Sequence, residues 1–150
     1  MATIGLVSAL LSLVAPPGGV PSGRAPRSTP DASGVGVTRH GALEVCMPSG
    51  ERAYLDRLHC PGGARAKYER KGGVGRRTKA RTAQEEKEAT AQIRENRAPK
   101  AGGRDYHMLD LYQVTCGDKT YDIYMDMYHC DGAATEKVPA GFTLDVRPRP

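Results

Sequence analysis

Residues 116–130 read CGDKTYDIYMDMYHC, and residues 46–60 read CMPSGERAYLDRLHC, with the same cysteine spacing and the same His-Cys ending. Setting each residue from Cys46 to Ala64 on the one 70 positions later matches Cys46 with Cys116, Tyr54 with Tyr124, Asp56 with Asp126, His59 with His129, Cys60 with Cys130, Gly62 with Gly132 and Ala64 with Ala134. Ordinary residue usage would give about one identity over such a length. The chain therefore reads as two copies of a unit, C-x7-Y-x-D-x-x-H-C-x-G-x-A, joined by a charged connector.

Within the later copy, residues 106–115 are rich in Tyr, Leu and Val, Gly117-Asp118-Lys119 is turn chemistry, and residues 120–130 mix aromatic, Ile and Met residues with Asp. That is a β-hairpin pattern. If residues 120–130 are extended throughout, Tyr124, Asp126, Tyr128 and Cys130 share one face, and Ile123, Met125, Met127 and His129 form the other, core-facing side. The earlier copy reads more weakly as a hairpin, with a turn at Met47 to Gly50 and a strand over Arg52 to Cys60. The expected fold is mainly β (small α+β): two pseudo-symmetric β-hairpin repeats stapled by disulfides, with one short helix in the connector.

Four cysteines, all inside the repeats, suggest a disulfide framework in an oxidising compartment. In a hairpin turning at Gly117-Asp118, Cys116 lies at the tip and Cys130 opposite Asp105, roughly 30 Å away, too far for a bridge. Two such hairpins packed antiparallel would pair Cys46 with Cys130 and Cys60 with Cys116. A tetrahedral zinc site built from the four cysteines is the alternative, although the chain lacks a C-x2-C knuckle. On the disulfide reading no metal and no cofactor is expected.

The 150 residues carry one Phe, no Trp and 18 Gly, so the core is thin and cross-links matter. Residues 1–15 (MATIGLVSALLSLVA) resemble the apolar region of a signal peptide and are too short to span a bilayer. Residues 16–36 form a Pro/Gly-rich linker with little to bury. The folded domain is expected over 37–146: repeat 1 at about 37–64, connector 65–104, repeat 2 at about 105–134 and a C-terminal strand at 141–146, before a tail at 147–150. Secretion or a periplasmic location follows, with no membrane span left after signal removal.

The connector holds 13 Lys/Arg against five Asp/Glu, whereas residues 105–131 hold six Asp against one Lys. Opposite charge within the molecule can match part of the basic excess. Thr82 with Glu85 is a capping-box signature, Pro99 is a stop, and a helix is expected over Ala83 to Arg97. KGGVGRR at Lys71 to Arg77 reads as a Gly-rich turn, and it is neither a dinucleotide fingerprint nor a P-loop.

Two function classes compete. Arg65, Lys67, Tyr68, Arg70, Lys71, Arg76, Arg77, Lys79 and Arg81 offer eight cations and one stacking ring to an anionic polymer, an envelope component or an acidic protein, with nucleic acid as a less favoured partner. This makes a non-enzymatic binding module the leading expectation. The enzyme alternative is a hydrolase or nuclease using Asp56, His59, Asp126 and His129 as acid–base pairs. It is disfavoured because Asp and His three apart on a strand face opposite ways. A zinc-stabilised nucleic-acid-binding protein is third.

Overall fold

The computed structural model describes residues 34–145. The leader at 1–15, the linker up to residue 33 and the tail at 147–150 lie outside the described residues. The elements in chain order are β1 (Leu43–Glu44), α1 (Met47–Leu55), β2 (Leu58–His59), β3 (Lys67–Arg76), α2 (Ala83–Glu95), β4 (Met108–Cys116), β5 (Lys119–Asp126) and β6 (Thr143–Leu144). A four-stranded sheet has the order β1-β5-β4-β3, and β2 pairs with β6 in a second, two-stranded sheet. The fold is thus sheet-rich small α+β.

Strands β4 and β5 form a hairpin in which Cys116 opposes Lys119 and Asp110 opposes Met125. Gly117 takes φ +64°, the left-handed conformation that a two-residue hairpin turn requires and glycine adopts without strain. Ile123 and Met125 face inward and are fully buried. They pack with Leu43, Val45, Tyr54, Leu55, Leu58, Tyr112, Val114 and Phe142.

The earlier repeat does not fold as a hairpin. Residues 47–55 form helix α1, whose buried residues are Glu51, Tyr54 and Leu55; with buried Leu58 beyond the helix end, they follow the i, i+3, i+4, i+7 spacing of one helical face. Pro48 sits in the first turn, where no amide hydrogen is needed. A 3.6-residue period therefore overrides the turn reading of Met47 to Gly50, and the two units take different secondary structures.

The Gly-rich stretch expected as a turn lies inside strand β3, a ten-residue edge strand paired antiparallel with β4. The register shifts between Arg70 and Gly72 and again between Gly73 and Arg76. Gly72 and Gly75, at φ +118° and +91°, supply the backbone freedom these irregularities need. A charged, irregular strand is also how sheet edges avoid pairing with other chains.

Helix α2 starts at the expected cap: Glu85 N donates to the Thr82 hydroxyl while Thr82 N donates to Glu85 Oε2. It ends at Asn96 in the left-handed conformation. Gln92 docks it, donating to Arg104 O and accepting from Tyr106 N, which fixes the chain entering β4.

Both disulfides form in the expected pairing, Cys46 with Cys130 and Cys60 with Cys116. The geometry differs from packed hairpins. Cys116, at the hairpin tip, meets the residue following β2, and Cys130, past the end of β5, meets the N-cap of α1. All four cysteines are consumed, so a cysteine zinc site is overturned among the described residues.

Candidate functional site

Strand β5 stops at Asp126 because its side chain turns back on its own backbone: Tyr128 N donates to Asp126 Oδ1 at 3.1 Å. The chain leaves the extended conformation there, and His129 swings round until its Nε2 lies 3.2 Å from Asp126 Oδ2. The strand argument that separated these two residues fails for that reason.

The same device operates on the opposite strand. His107 N donates to Asp105 Oδ1 at 3.0 Å just before β4 begins. His107 Nδ1 then lies 3.0 Å from Asp105 Oδ1 and 3.2 Å from Asp126 Oδ2, and His129 Nε2 lies 3.2 Å from Asp105 Oδ2. Two carboxylates and two imidazoles converge, with the donor atoms all within 4.8 Å of one another. His107 and Asp126 are fully buried, while Asp105 and His129 retain 13% and 12% side-chain exposure.

Arg77 closes the cluster from the β3 side. Its Nη1 donates to Asp105 Oδ2 and Glu44 Oε1, each at 2.8 Å, and lies 3.6 Å from Asp126 Oδ2. Burial works against a charged His107, but hydrogen bonds and charge from Asp105 and Asp126 outweigh it and push its pKa up to about 9. The same balance lifts His129 to about 10. Burial raises Asp105, yet its hydrogen bonds to both imidazoles hold it well below the usual carboxylate range. At neutral pH both imidazoles are cationic donors to the carboxylates. His129 and Glu44 also line an open cavity of about 500 Å³ shared with Asp131, Gly132, Thr135 and Lys137.

Asp56 and His59 form no matching pair. Asp56 caps the end of α1 and accepts from the Tyr68 hydroxyl at 2.7 Å, while His59 Nδ1 lies 3.0 Å from Gly63 O. Sequence reasoning missed Asp105 and His107, although a signal was present. A hairpin turning at Gly117-Asp118 sets residues 105–107 opposite 130–128, beside Asp126 and His129.

The connector cations are spread widely and mostly engaged internally. Arg65 donates to Asp56 O, and Arg70 makes two hydrogen bonds of 2.8 and 2.7 Å to Asp110. Lys71 pairs with Glu69, and Arg76 with Glu86. Tyr68 is half-buried edge-to-face against Tyr112, so its ring is not an open stacking platform. Lys67, Lys79 and Arg81 are exposed. Lys79 and Arg81 line a hollow of about 330 Å³ with His40, Arg77, Thr78 and Arg104. Arg104 and His40 were not among the expected binding residues, since neither belongs to the 65–81 run.

Fold and site together define a small α+β protein with two disulfides and an Asp/His cluster where the open end of a hairpin meets an edge strand. No family model, curated protein or solved structure matches the chain. Among the described residues no helix is long and apolar enough to cross a membrane.

Proposed function

We propose that this protein is an exported, disulfide-stabilised, non-enzymatic binding module that engages an anionic partner through its connector. One observation carries the reading: the hollow lined by His40, Arg77, Thr78, Lys79, Arg81 and Arg104. Neither the Lys79 nor the Arg81 side chain has an ion pair among the described residues. Internal acids neutralise Arg70, Lys71, Arg76 and Arg77, and two of the connector cations left without an acid among the described residues, Lys79 and Arg81, meet at this hollow. The two disulfides support export, because such bonds persist in oxidising compartments.

The test is binding to heparin, a sulfated polyanion, at several salt concentrations. Affinity is expected to fall as salt rises. The double variant Lys79→Glu/Arg81→Glu should bind more weakly and lower the log–log salt slope by about two, with the circular dichroism spectrum unchanged. Equal affinity of variant and wild type would refute the assignment. Arg77 is unsuitable for charge reversal because it holds Glu44 and Asp105.

The second reading is a hydrolase or nuclease using Asp126 and His129, of which His129 lines the 500 Å³ cavity and buried Asp126 lies behind it. Against it, a cationic His129 held by two carboxylates is a poor general base at neutral pH. Hydrolysis of a nucleic-acid or ester substrate that His129→Ala abolishes without changing the melting temperature would favour it.

A further inference from the structure

We propose that Asp105, His107, Asp126 and His129 bind one divalent cation of the zinc class in a four-coordinate site. This goes beyond the anionic-partner reading and is independent of it.

The donor set comes first. Two imidazole nitrogens with two carboxylate oxygens suit zinc and its borderline neighbours, whereas calcium and magnesium favour larger all-oxygen shells. The geometry agrees. With metal–ligand bonds of about 2.0 to 2.2 Å, the edges of a tetrahedron are about 3.3 to 3.6 Å. With one oxygen from each carboxylate, Asp105 Oδ1 and Asp126 Oδ2, three nitrogen–oxygen edges are already present at 3.0, 3.2 and 3.2 Å. One ligand atom from each of the four residues lies within 4.8 Å of the other three. Little movement separates this cage from a coordination shell.

Each ligand is held by something other than the ion. Asp105 and Asp126 accept backbone amides from residues two further along. The His107 ring stacks on Tyr128 at 5.1 Å and meets His129 edge-on at 5.0 Å. Arg77 stays on Asp105 Oδ2, leaving Oδ1 to the metal, as outer partners do for ligating carboxylates. Glu44, Asp105 and Asp126 against Arg77 leave two negative charges; at neutral pH the two imidazolium protons balance them, and a dication would displace those protons as the imidazoles bind as neutral ligands. An ion would enter from the cavity beside His129 and Glu44. Four protein donors complete the shell, so the ion would act as a brace between the approach to β4 and the end of β5 rather than as a hydrolytic centre.

The experiment uses untagged, oxidised protein treated with EDTA and then dialysed. Titration with zinc chloride, followed by calorimetry and native mass spectrometry, should give one bound equivalent and a raised melting temperature. Cobalt(II) should produce the intense visible bands of four-coordinate cobalt–protein complexes. His129→Ala should weaken zinc affinity on the order of 100-fold, whereas His59→Ala, 70 positions earlier, should bind as wild type does. Less than one equivalent bound to the wild-type protein would overturn the site whether or not the variants fold, as would wild-type affinity in His129→Ala or loss of binding in His59→Ala.

Discussion

Glu51 lies on α1 with no exposed surface, accepting from the Tyr112 hydroxyl at 2.9 Å through Oε2, while Oε1 has no partner among the described residues. Burial raises its pKa from 4.5 to about 7, against the opposing effect of the Tyr112 hydrogen bond. Between those values the folded protein keeps a proton that the unfolded chain has lost. Unfolding free energy contributed by Glu51 therefore falls as pH rises from about 4.5 to about 7 and levels off above that. The loss is on the order of 3 kcal/mol. Glu51→Gln holds the site neutral, so urea unfolding should show the stability of wild type relative to the variant declining across this window. A constant difference would mean that Glu51 titrates normally. None of this was legible in the sequence, where Glu51 falls between the turn expected at Met47 to Gly50 and the strand expected from Arg52.

At the scale of elements, α2 was readable because its determinants are local: a threonine cap, Glu85 three residues on, and Pro99 as a stop. Thr82→Ala should cost about 1 kcal/mol of stability in urea unfolding, and a loss under a few tenths would show that the helix start does not matter to folding. Helix α1 was hidden because the repeat aligns it with a strand segment elsewhere in the chain, although of its nine residues only Tyr54 is shared with that segment. Seven shared positions leave twelve free to differ, and Glu51 with Leu55 sets a helical period where Tyr121 and Met125 do not. Strand β3 was hidden by its glycines, which can mark breaks in register at an edge as well as turns. The candidate cluster needs β5 to end at Asp126, a boundary set by one side chain-to-backbone hydrogen bond.

For the whole molecule, the disulfides are the largest single stabilisers this core can call on. Cys46–Cys130 spans 84 residues and Cys60–Cys116 spans 56. On the chain-entropy account each contributes about 4 kcal/mol. Replacing Cys60 and Cys116 together by serine should therefore lower the unfolding free energy by several kcal/mol, and a loss below about 1 kcal/mol would show that strain or residual denatured structure cancels the bridge. The sequence by itself determined what short-range chemistry controls: the β4–β5 turn, the start of α2, the even cysteine count and the excess of cations in the connector. Only the tertiary structure decided which cations remain for a partner, because Arg70 and Arg77 meet acids 40 and 28 residues away. It alone brought Asp105 and His107 to Asp126 and His129, since residues about 20 apart converge only when a hairpin closes and both of its ends turn inward.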